Sequence, residues 1–134
     1  MNRKELKNKL NQRKAVFAGW TSIGHPQITE MIARSGVDFI GIDLEHSTIS
    51  QEQAQRIIAA CHANAVVCLP RVASHDPESI RRLLDSGADG ILVPTVDTPA
   101  EVDKLIEVMK YPPSGKRGYG VARAQGYGNE FKAY

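Results

Sequence analysis

Four residues have the chemistry and spacing of a reactive site: Asp43, Glu45 and His46 at the end of one apolar run, and Arg71 just past the next. Two carboxylates and an imidazole within four positions can pass a proton, because an acid beside an imidazole orients it and raises its proton affinity. A guanidinium nearby can hold a carboxylate or stabilise an enolate oxygen. The run Val37–Ile42 reads as a strand buried on both faces, and charge at the end of such a strand is costly unless it is paired or has chemical work. In an extended strand, period-2 alternation sends Asp43 and Glu45 to one side and Leu44 and His46 to the other; a bend after Leu44 brings all three polar groups to one rim.

The elements that must position these groups repeat. Strands are expected near residues 16, 38, 65 and 90, each followed by a helix, at about 25 residues per unit. Helix starts are marked by Pro26, by Ser50 with Gln53, by Asp76-Pro77 and by Thr98-Pro99-Ala100-Glu101; Gly36 and Gly87 mark two stops. The pattern Ser35-Gly36-Val37-Asp38 is echoed by Ser86-Gly87-Ala88-Asp89 two units later. Apolar strands alternating with amphipathic helices imply a parallel α/β sheet, whose C-terminal strand ends are where ligands bind. Residues 2–14, with Leu6 and Leu10 among charges, read as a short solvated helix; residues 111–134 read as an irregular loop and tail. Eight such units close a barrel of about 250 residues, and this chain holds about four, so a second half or a partner chain is expected to cover its open edges.

Composition narrows the function classes. The 134 residues are 42% hydrophobic and 24% charged with a net charge of +2, which gives no reason to expect a nucleic-acid or membrane partner. No apolar run approaches the ~20 residues that span a bilayer, and the N-terminus has no signal-like apolar core, so a cytoplasmic location is expected. Cys61 and Cys68 lack metal-site spacing and read as free buried thiols. His25, His62 and His75 have no setting comparable to that of His46. Lys116-Arg117-Gly118, in a Gly/Pro loop, could close on an anionic substrate. Phosphate-binding glycine motifs and a nucleophile elbow are missing from the sequence.

Four runs in order, Gly41-Ile42-Asp43-Leu44-Glu45-His46, Pro70-Arg71-Val72, Leu84-Asp85-Ser86-Gly87-Ala88-Asp89-Gly90-Ile91-Leu92-Val93-Pro94 and Tyr111-Pro112-Pro113-Ser114-Gly115-Lys116-Arg117-Gly118, resemble the HpcH/HpaI aldolase family from about Phe17 to Tyr127. The resemblance implies a (β/α)8 TIM-type barrel, usually a homo-oligomer, that acts as a class II aldolase. Such an enzyme cleaves a 4-hydroxy-2-oxo acid to pyruvate and an aldehyde with a divalent metal, Mg, Mn or Co. By motif position it implies proton transfer by His46 paired with Asp43, enolate stabilisation by Arg71, and metal-bound water oriented by Glu45 and Asp85, with Arg117 and Gly118 in the substrate loop. The family's own metal ligands, a Glu and an Asp, follow that loop, where Glu130 is the only carboxylate here. The metal ligands are therefore expected from outside this chain, and a non-catalytic half-barrel module stands as the alternative expectation.

Overall fold

The computed structural model describes residues 1–130 and Lys132; the last positions of the expected tail, Phe131, Ala133 and Tyr134, lie outside the described residues. Three parallel strands, β1 (Ala18–Thr21), β2 (Phe39–Asp43) and β3 (Val67–Arg71), pair in the order β1-β2-β3. Five α-helices, α1 (Arg3–Asn11), α2 (Pro26–Ala33), α3 (Gln51–Ala63), α4 (Pro77–Asp85) and α5 (Pro99–Met109), surround them. A short 3-10 helix, Arg123–Gly128, occupies the stretch expected to be irregular.

The helix starts are where their capping residues stand. Ser50 and Thr98 form reciprocal capping boxes with Gln53 and Glu101, and the Asp76 side chain accepts from the Ser79 N–H. Gly36 and Gly87 take φ of +84° and +99°, the left-handed conformation that lets the chain leave a helix and turn back into the sheet.

The repeated Ser-Gly-x-Asp pattern has a physical basis. Asp38 N–H donates to Phe17 O at 2.8 Å while its carboxylate accepts from Phe17 N–H at 2.9 Å. Asp89 does the same to Cys68, with bonds of 3.0 and 2.9 Å. Asp38 thus clamps the residue just before β1 and Asp89 a residue of β3, and each has a cationic or ionisable partner, Lys9 at 2.8 Å and His62 at 3.2 Å. The Lys9 contact ties α1 to the sheet, and Leu6 of that helix is buried.

Alternation along the strands sorts the two faces of the sheet. Ile40 and Ile42 with their register partners Cys68 and Pro70 point to the helices, fully buried beside Ile57, Ile58, Ile80 and Leu83. The other face carries Trp20, Phe39, Gly41 and Leu69, and Trp20 keeps 45% exposure. The expectation that β2 is covered on both faces therefore holds on its helix side; on the other side Phe39 is half-buried.

The expected fourth strand, Gly90–Val93, is reduced to a single bridge between Arg71 and Leu92. Asp89 N–H bonds to Cys68 O and Leu92 N–H to Pro70 O, so two residues, Gly90 and Ile91, stand opposite one, Leu69. A regular parallel ladder opposes one to one. The extra residue is a bulge that breaks the ladder after one repeat.

Candidate active site

β2 ends at Asp43 because the chain folds back on that side chain. Asp43 Oδ1 accepts from the N–H groups of Glu45 and His46, both at 3.0 Å, and the Ser47 hydroxyl donates to Asp43 O. Aspartate offers the backbone this local alternative to a ladder. The bend thus falls one residue before the expected place, and it brings Asp43, Glu45 and His46 to one rim.

Arg71 stands beside Asp43 because register aligns the ends of β2 and β3. Its Nε and Nη2 donate to Asp43 Oδ1 and Oδ2 at 3.2 and 2.8 Å, and Nε lies 3.2 Å from Glu45 Oε2. Burial alone would push the Asp43 carboxyl up, but the hydrogen bonds from Arg71 and from the His46 and Glu45 N–H groups overcome it and lower the pKa from 3.8 to about 2. The Arg71 pKa is raised by its hydrogen bond to Asp43. The pair is a fixed, fully charged unit. Asp43 occupies only the Nε/Nη2 side of the guanidinium fork, and the Nη1/Nη2 end has no protein partner among the described residues.

His46 meets Asp43 through its backbone N–H, whereas its exposed ring leans towards Glu45, with Nε2 3.7 Å from Glu45 Oε2. Asp85 and Arg117 lie elsewhere. Helices of a parallel α/β unit run against the strands, so Asp85, the last residue of α4, sits at the edge where strands begin. There it accepts from Arg117 Nη2 at 2.6 Å, and the Arg117 guanidinium lies 4.6 Å over the Tyr111 ring, buried. The loop carrying Arg117 and Gly118 is folded onto α5 through bonds from Arg117 N–H to Lys110 O and from Lys116 to Glu107.

Sequence reasoning missed Trp20. Its ring lies 5.0 Å from the Arg71 guanidinium carbon, on the strand next to β2. The available signal was its place near the C-terminal end of the first strand, on the rim shared with Asp43 and Arg71.

Among the described residues no group of three or more His, Cys, Asp or Glu side chains is placed to hold a metal ion. Asp43 is committed to four N–H donors and Glu45 to Arg71 and the His46 ring. These side chains do not form a metal centre by themselves.

The sequence profile of the HpcH/HpaI aldolase/citrate lyase family matches residues 17–129. The chain belongs to that family. It is 35% identical over 121 residues to a 4-hydroxy-2-oxovalerate aldolase of Novosphingobium aromaticivorans, covering 86% of this chain and 44% of that protein. It is 36% identical over 110 residues to a hydroxypyruvate/pyruvate aldolase of Sagittula stellata, covering 81% and 44%. The structure of an HpcH/HpaI aldolase/citrate lyase family protein from Burkholderia cenocepacia superposes with a TM-score of 0.86 at 26% identity, over 92% of this chain and 51% of that one. That of a citrate synthase, SbnG, gives 0.78 at 36% identity, over 85% and 46%. The chain spans about half the length of the relatives it matches. Among the described residues no helix is long and apolar enough to cross a membrane, and Cys61 and Cys68 are free and buried.

Proposed function

We propose that this chain supplies the enolate-stabilising and proton-transferring side of a class II aldolase site that cleaves a 4-hydroxy-2-oxo acid to pyruvate and an aldehyde. The observation that carries the reading is the open Nη1/Nη2 end of Arg71, fixed by Asp43 at the C-terminal strand edge in a chain of the HpcH/HpaI family. That end matches a carboxylate, or the oxygen on which charge develops as the carbon–carbon bond breaks. Aldol cleavage removes a proton from the C4 hydroxyl, and His46 is the base on this rim, with the Glu45 carboxylate beside it to hold the imidazolium. Citrate formation and aldol cleavage both pass through an enolate, so one cationic group suits either chemistry.

The divalent ion that the family resemblance implies, Mg, Mn or Co, supplies Lewis-acid polarisation of the 2-oxo acid when bound, and this reading takes its ligands from outside the described residues. A homo-oligomer and a closed eight-unit barrel belong to the same reading, supported by the unpaired outer edge of β1 and the exposed face around Trp20. A non-catalytic half-barrel module is the second reading, favoured by the lack of a three-donor cluster among the described residues.

Exchange of the pyruvate methyl protons into deuterated water, followed by NMR with Mg and then with EDTA, separates the two. Metal-dependent exchange that is lost in Arg71→Ala supports the aldolase. A folded sample that gives no exchange, or exchange indifferent to Arg71, refutes a working site in this chain and leaves the module.

A further inference from the structure

We propose that Trp20 is a positioning residue for Arg71, held against the guanidinium because position 41 has no Cβ, and that this clamp presents the open Nη1/Nη2 end to the carboxylate or enolate of a 2-oxo acid. The ligand rests on the aldolase reading; the clamp itself does not.

Three observations converge on it. Trp20 and Gly41 are register partners on adjacent strands, so the Trp20 ring and the side of Gly41 where a Cβ would stand share one face of the sheet. A Cβ built on Gly41 would stand 2.5 Å from Trp20 Cζ3, which no real contact tolerates, so the ring occupies the space that any other residue at 41 would need. The same ring lies 5.0 Å from Arg71 Cζ, within cation–π reach. Arg71 is thereby fixed in its plane by Asp43 and Glu45 and on a face by Trp20. A long side chain that is 26% exposed would otherwise sample several rotamers.

The exposure of Trp20 fits this role. A core tryptophan would be covered, yet this one keeps 45% of its surface open on the strand edge that carries Arg71. Its apolar ring beside a cationic fork suits a short 2-oxo acid, whose carboxylate takes the fork while its carbon chain lies on the ring.

Nitrogen-15 NMR of the Arg71 Nε–H, assigned by its disappearance in Arg71→Lys, tests the clamp without requiring turnover. In the native chain the ring current of Trp20 should displace this proton upfield. Trp20→Leu should abolish the displacement, and so should Gly41→Ala, which pushes the ring aside. Gly41→Ala added to Trp20→Leu should change nothing further, because a Cβ at 41 then meets no ring. A merely structural role would make the two changes additive. Trp20→Phe, which keeps an aromatic face, checks that any loss is not simple misfolding.

Pyruvate titrated against the same signal should bind about fivefold more weakly in Trp20→Leu than in the native chain. An Nε–H signal indifferent to Trp20→Leu, or a full Gly41→Ala effect in the Trp20→Leu background, overturns the clamp. A native signal that answers to Trp20 but not to pyruvate supports the clamp and refutes its ligand, while the aldolase reading stands or falls on the methyl-proton exchange.

Discussion

Asp43→Asn removes one charge and almost no volume, so it isolates what the Asp43 carboxylate contributes. At about 1.36 kcal/mol per pKa unit, the fall of the Asp43 pKa from 3.8 to about 2 corresponds to stability on the order of 2 kcal/mol at neutral pH. The Asp43 side chain is 8% exposed, so solvent screening takes little from this figure. Because the folded pKa lies below the unfolded one, the unfolded chain takes up the proton first as pH falls. The contribution is therefore complete above about pH 5, shrinks from there down to about pH 2, and is lost below the folded pKa. Urea denaturation of both proteins at pH 7, 5, 3.5 and 2.5 should show the Asp43→Asn variant less stable by about 2 kcal/mol at pH 7, with the gap closing towards pH 2.5. Equal stabilities at pH 7, or a gap that stays constant down to pH 2.5, would refute the account of Asp43 as a carboxylate held by Arg71 and two backbone N–H groups.

Arg71→Lys keeps the charge but loses the fork, and metal-dependent methyl exchange of pyruvate should drop by about 100-fold; unchanged exchange would remove Arg71 from the chemistry. Arg117→Met leaves Asp85 without its guanidinium and should cost about 3 kcal/mol in denaturant unfolding, and a loss under about 1 kcal/mol, the range of an exposed pair, would mean that the pair is not a structural tie. Ser50→Ala breaks the capping box of α3 and should cost about 1 kcal/mol, read as a lower midpoint of thermal unfolding monitored by circular dichroism; an unchanged midpoint would show that the cap is replaced by water.

Much of the scaffold was legible because its signals are local. A serine followed three residues later by glutamine, or an aspartate before a proline, satisfies free N–H groups within one turn, so α3 and α4 begin where those residues stand. The Ser-Gly-x-Asp echo was visible as a pattern, but its meaning was not: the pairs Asp38–Phe17 and Asp89–Cys68 span 21 residues each. The fourth strand failed for the same reason. Gly90–Val93 has a strand's composition, and only its hydrogen bonds to β3 show the extra residue that interrupts it.

The site divides along the same line. Residue type and order along the chain determined that Asp43, Glu45, His46 and Arg71 lie at successive strand ends, since alternating strands and helices in parallel return each strand end to one rim. Pairwise geometry was decided by the tertiary structure. Register set Asp43 against Arg71 and Trp20 against Gly41, the turn on Asp43 gave the His46 ring to Glu45, and packing onto α5 took Arg117 to Asp85. The physical reason is that a side chain's nearest partner depends on the stagger of neighbouring strands and on which loop folds over which helix, and those are set by contacts between residues far apart in the chain.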